Sequence, residues 1–121
     1  MVYLVSVDIN ALTAQLDNRL IDALENGKAQ KFEYTIELCW KALKVALYTK
    51  EGIDEASPKK VIKAFYLAGH LCEEDYLALI NAMDDRNKLS HVYQAEIFEA
   101  ILARLPNYVE LMQRVLVRLE A

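Results

Sequence analysis

Apolar residues recur at every third or fourth position along almost the whole chain, and that period constrains the fold more than any other feature. Side chains at that spacing cover one face of an α-helix. The period-two alternation of a strand has no clear instance beyond the N-terminal VYLVSV. The residues between apolar positions are mostly Ala, Glu and Lys, which are good helix formers, and three glycines and two prolines leave few natural breaks. A chain of 121 residues, 55% of them apolar, is one domain over 1–121 that buries roughly 65% of its unfolded surface. Residues 1–7 are expected to form an N-terminal arm, flexible or packed.

The breaks set the helices. A first helix is expected from Asp8, an N-cap residue, with Ile9, Leu12, Leu16, Leu20 and Leu24 facing the core. Asn26-Gly27 should end or interrupt it. A second carries Phe32, Ile36, Cys39, Leu43 and Leu47 to Gly52. Ser57-Pro58 reads as an N-cap followed by proline at the first helical position. That third helix carries Val61, Phe65 and Ala68 and stops at Gly69. Glu73 and Glu74 suit the start of a fourth, with Tyr76, Leu77, Ile80 and Met83 turned inward. A fifth begins near Gln94 with Ile97, Ala100 and Ile101. Pro106 predicts a break or kink, then a last helix with Val109, Met112, Val115 and Leu119. The expected fold is all-α, an antiparallel helical bundle of about five to six helices.

A net charge of −4 argues against wrapping DNA through bulk charge, while a local basic cleft remains open. Cys39 and Cys72 have no C-x-x-C partner, so reduced thiols packed as small hydrophobes are expected, with neither a disulfide framework nor a metal site. No cofactor is implied. The N-terminus lacks the basic region of a signal peptide, and no stretch is long enough to span a bilayer. A cytoplasmic protein without membrane contact is the expectation.

Chemistry concentrates in DDRNKLSHVY, residues 84–93. Five residues of ideal helix turn through about 500°, which would leave Arg86 and His91 roughly 140° apart. They converge more easily if the helix ends between them, and Asn87 and Ser90 suit such an end. Arginine offers a fixed fork of donors for phosphate, and histidine can move a proton near neutral pH. Together they could break an RNA phosphodiester without metal, with His91 moving a proton and Arg86 stabilising charge on phosphorus. Against this stands a plainer reading, in which Arg86 pairs at the surface with Asp84 or Asp85 and His91 caps a helix. On spacing alone the plainer reading is the commoner one.

Other residues carry the same choice. Glu37 and Lys41 are spaced for a surface pair, or Glu37 approaches and orients the Arg86–His91 cleft. Tyr34 can stack on a base, with partial burial the simpler expectation. Asn87 holds the turn or touches a phosphate. Trp40 reads as core or dimer interface. Lys41 and Lys44 could add positive potential to a cleft, with solvated surface the simpler expectation; His70 reads as solvated, and Phe98 and Tyr108 as packing.

Arg86-Asn87-x-x-Ser90-His91-x-Tyr93 resembles the R-x4-6-H motif of the HEPN superfamily, in its R-x4-H-x-Y form. KFEYTIELCWKALK, residues 31–44, is similar to the F-E-[FY]-T-x-E-L-x-W-K-x-L-K signature of the branch known as nucleotidyltransferase substrate-binding proteins. SPKKVIKAFYLAGHL, residues 57–71, resembles that branch's next segment. Val92 departs from it, standing where threonine is frequent. The resemblance implies a helical homodimer in which Arg86 and His91 of both subunits line a shared cleft. It implies a separately encoded minimal nucleotidyltransferase as partner, with RNA or a nucleotide as ligand and no DNA. It further implies the ribonuclease toxin of a toxin–antitoxin pair, with Arg86 and His91 catalytic and Tyr93 the acceptor of AMP. The branch's name implies an alternative, a subunit that binds nucleotide or substrate and cuts nothing.

Overall fold

The computed structural model describes residues 9–92 and 94–120. Four helices account for nearly all of them: α1 (Ile9–Glu51), α2 (Pro58–Leu67), α3 (Glu73–Leu89) and α4 (Ala95–Glu120). α1 packs against the other three, α2 lies on α3, and α3 lies on α4. Short connections between packed neighbours make an antiparallel bundle. The all-α expectation holds. The expected Asp8 cap, the VYLVSV segment and the 1–7 arm lie outside the described residues.

The helix count falls to four because two expected breaks are bridged. α1 runs through Asn26-Gly27 without interruption, and α4 runs through Pro106. A mid-helix glycine costs about 1 kcal/mol and a proline about 3 relative to alanine, sums that packing along a long helix can offset. In α1 the buried Phe32, Ile36, Trp40, Leu43 and Leu47 supply that packing. In α4 it comes from Ile101, Leu105, Tyr108, Leu111, Met112 and Val115. Apart from the adjacent Leu111 and Met112, both series step by three and four residues, the spacing of one continuous helical seam.

The remaining boundaries follow local chemistry. Gly52 and Gly69 adopt φ values of 67° and 88°, a left-handed geometry that side chains resist, and each N–H caps a carbonyl of the helix it closes. Ser57 is extended ahead of Pro58, and its carbonyl accepts from the N–H of Val61. Cys72 caps α3, its sulfur accepting from the N–H of Asp75. It is exposed, not packed as a small hydrophobe as expected. Cys39 is half-buried, and burial pushes its thiol up to about 11.

α2 contributes Val61, Ile62 and Phe65 to the core and α3 contributes Leu79, Ala82 and Met83. Leu77, expected inside, is 51% exposed, because the inward stripe of α3 passes through Asp75, Leu79 and Met83 instead. Val109 and Ile97 also lie outward of the α4 seam. Leu20 and Leu24, expected to face the core, are 54% and 67% exposed.

Two carboxylates inside the bundle are matched by donors from α4. Asp85 receives both Arg104 Nε and Nη2, at 2.7 and 3.0 Å, and the Tyr108 hydroxyl. Burial alone would raise the Asp85 carboxyl, but the hydrogen bonds and charge of Arg104 with the Tyr108 bond hold it below its usual value. Burial and the Asp85 charge push the Tyr108 hydroxyl up to about 12. Asp75 is tied to Arg114 at 3.1 Å. Tyr108 also stacks on Phe32, so one side chain links α1, α3 and α4.

Candidate functional site

α3 ends at Leu89, between Arg86 and His91, the helix end expected from Asn87 and Ser90. The turn is closed by backbone: Ser90 N–H bonds the carbonyl of Asn87 and His91 N–H that of Lys88. The Asn87 side chain does not hold this turn. Its Oδ1 accepts from Arg86 Nη1 at 3.3 Å.

Arg86 and His91 take different surroundings. His91 is exposed and lines an open groove of about 820 Å³ with Asp84, Asn87, Lys88, Val92, Gln94 and Ile97. Asp84, Asn87, Lys88 and His91 are spaced three, four and seven apart, which puts them on one side of the helix end. Arg86 turns toward α1, where its Nη2 lies 3.5 Å from Glu37 Oε2. Glu37 Oε1 lies 3.7 Å from Lys41 Nζ, one turn along. Glu37 therefore contacts both Lys41 and Arg86, and not His91. Trp40, the next α1 side chain inward, is 8% exposed, and its Nε1 and Arg86 Nε are buried without a hydrogen-bond partner among the described residues.

The plainer pairing of Arg86 with its neighbouring acids is not what forms. Asp85 goes to Arg104 and Tyr108, and Asp84 to Lys59 on α2. Arg86 is left facing Glu37 because residues 84, 85 and 86 step about 100° apart around α3 and meet α2, α4 and α1 in turn.

Tyr34 is 71% exposed, more than the partial burial expected, and borders a shallow depression with Gly27, Gln30 and Lys31. Lys44 reaches Asp54 and the carbonyl of Glu55. His70 is not simply solvated: its Nε2 meets Glu51 Oε1 at 2.8 Å, tying the end of α1 to the α2–α3 turn. Tyr93, the possible modification site, lies outside the described residues. Among the described residues, no group of His, Cys, Asp or Glu is placed to hold a metal ion, and no helix is long and apolar enough to cross a membrane.

Residues 7–121 match a family model described as nucleotidyltransferase substrate binding protein like. The chain belongs to that family. The same fold is seen in a crystal structure of a protein from Thermus Thermophilus, with a TM-score of 0.77 and 41% sequence identity, over 80% of this chain and 82% of that one. No curated protein matches. The family's HEPN-like helical architecture agrees with the four-helix bundle found here. Its description is consistent with a nucleotidyltransferase as partner.

Proposed function

We propose that this protein is the ribonuclease component of a two-protein toxin–antitoxin system whose other member is a minimal nucleotidyltransferase. It acts as a homodimer. The observation that carries the reading is His91: an exposed imidazole at the end of α3, bordering a groove with Asn87 and Lys88, five residues after an arginine. In the reaction, His91 takes the proton of a ribose 2′-OH as that oxygen attacks phosphorus. The P–O5′ bond breaks, leaving a 2′,3′-cyclic phosphate and a 5′-oxygen that takes up a proton. Arg86 of the other copy, across the shared cleft, stabilises the phosphorane charge, and Glu37, Asn87 and Lys41 set where its guanidinium sits. Tyr34, exposed on α1, offers a ring on which a base can stack. In the partner's reaction the Tyr93 hydroxyl would attack the α-phosphorus of ATP, pyrophosphate leaving and the hydroxyl proton being lost, and the AMP so attached two residues along the chain from His91 would hinder RNA through its bulk and negative charge.

Expression without the nucleotidyltransferase should arrest growth, and His91→Ala should relieve the arrest at unchanged protein level. Equal toxicity of the mutant would count the ribonuclease reading out. In the presence of nucleotidyltransferase and ATP, the parent should gain roughly 330 Da, the mass of one AMP added by group transfer, and Tyr93→Phe should not.

One observation favours a second reading, a subunit that binds nucleotide for the nucleotidyltransferase and cuts nothing. Arg86 faces Glu37 while His91 borders the groove, so one chain does not offer both groups to one phosphate. That reading expects ATP binding by calorimetry with the partner present, weakened by Arg86→Ala, and no cleavage of RNA.

A further inference from the structure

The N-terminal part of α1 extends past the bundle. α4 begins beside Glu25 and Asn26, where Ala95, Phe98 and Glu99 adjoin them, and the first buried residue of α1 among those described is Ala29. From Ile9 to Asn26 the helix continues for roughly 27 Å at 1.5 Å per residue. Leu20, Ile21 and Leu24 stand on one side of it, each more than half exposed. The sequence writes an apolar stripe here, and among the described residues nothing of the same chain buries these three.

The same chain has an open apolar groove. It runs between α1 and α4, from Lys28, Lys31 and Leu102 past Val109 and Met112 to Leu38, Ala42 and Leu116. From Lys28 to Ala42 the α1 wall is roughly 21 Å long, close to the length of the arm. Gly27 sits at the junction of arm and groove. It is inside a continuous helix, where glycine is unfavourable, and a Cβ built on it would meet nothing within 4 Å.

We propose that two copies of this chain exchange their α1 arms, crossing antiparallel at Asn26-Gly27 so that Asn26 of one copy lies opposite Gly27 of the other, with each arm lying in the α1–α4 groove of the other. The inference rests on the homodimer of the proposed reading and says how it is built. A glycine at the crossing lets two backbones approach closely, which accounts for its place in a helix that does not need a break. In the antiparallel register Glu25 falls opposite Lys28, acid against base at the groove's mouth, and Ile21 opposite Phe32 on the groove wall. The contact is isologous and closes on itself, so every arm–groove contact occurs twice. That doubling lets a single narrow helix approach the roughly 800 Å² per partner of a stable interface.

Sedimentation of the purified full chain tests this, alongside Leu20→Lys/Leu24→Lys and Gly27→Leu. The parent should sediment at twice 13.8 kDa. The double-lysine variant should sediment at the single mass with its helical circular dichroism retained, because both positions lie outside the core of their own chain. Gly27→Leu should raise helix content, yet weaken the dimer at least about tenfold, the effect of a side chain at a close crossing. Those opposite signs separate a crossing point from a merely tolerant helix position. If both variants stay dimeric, arm exchange is overturned and the homodimer stands on another surface. A parent that is monomeric at about 100 μM, far above the Kd of a specific dimer, overturns the exchange and the homodimer together. Cleavage of RNA is read separately: cleavage by a parent whose two variants stay dimeric overturns the arm exchange alone, whereas a monomeric parent also removes the shared cleft of the proposed reading.

Discussion

Glu37 on α1 and Arg86 on α3 face each other across the bundle, Oε2 to Nη2 at 3.5 Å, and this contact joins two of the three sequence segments that carry the family resemblance. The partners are 49 positions apart in sequence, so the fold alone brings them together. A half-exposed pair of this kind adds little to stability. Its consequence is positional: it sets where the guanidinium sits, with Lys41 sharing the same carboxylate.

Glu37→Gln therefore separates position from stability. The midpoint of urea unfolding should stay within about 1 kcal/mol of the parent, the scale of a solvent-exposed ion pair. The rate of RNA cleavage should fall at least about tenfold, corresponding to ~1.4 kcal/mol of lost transition-state stabilisation. Glu37→Asp, which keeps the charge, should recover part of it. Unchanged cleavage in Glu37→Gln would remove the positioning role.

The Asp85–Arg104–Tyr108 cluster is a stability element, and its pH dependence has a definite sign. The folded carboxyl lies below the usual 3.8, so its contribution is present above the unfolded value and is lost as pH falls through the folded one. Asp85→Asn should cost about 2 kcal/mol at pH 7, and the gap from the parent should shrink below about pH 4. The Tyr108 hydroxyl, raised to about 12, works in the other direction: its contribution is full below the ordinary value of 10.0 and lost as pH rises through 12. Tyr108→Phe should cost about 1–2 kcal/mol at neutral pH. Chemical denaturation across pH reads both, and a pH-independent gap for Asp85→Asn would contradict the assignment.

Pro106 offers a direct check on the continuity of α4. It is exposed and lies within the helix, where it removes one N–H and crowds the preceding turn. Pro106→Ala should stabilise the protein, by about 1–3 kcal/mol once the more flexible unfolded chain is counted. A destabilised alanine variant would mean that the chain needs proline's geometry there, and that two helices meet at Leu105.

Much of this was legible in the residues. The seam through Phe32, Ile36, Leu43 and Leu47, the Ser57-Pro58 start and the two closing glycines are local signals that tertiary packing reinforces. The helix end between Arg86 and His91 was readable for the same reason, since Asn87 and Ser90 disfavour further helix. Gly27 and Pro106 misled because propensity is a weak prior against a seam that continues beyond them. Leu20 and Leu24 misled differently: periodicity marks an apolar face, and does not say that the chain's own bundle reaches far enough to cover it. The destination of Asp85 was invisible, because a carboxylate's partner 19 and 23 residues away is chosen by the rotation of α4. A Tyr at position 108, four residues after Arg104 on one face, was the available hint.

The measurement that tests the central claim most directly is cleavage of a single-stranded RNA by the purified protein in EDTA, beside His91→Ala and Arg86→Ala. The account predicts products ending in 2′,3′-cyclic phosphate from the parent, and at least about a hundredfold loss in His91→Ala, within the range of general acid–base catalysis. Intact RNA with the parent, or equal cleavage by parent and His91→Ala, would contradict it.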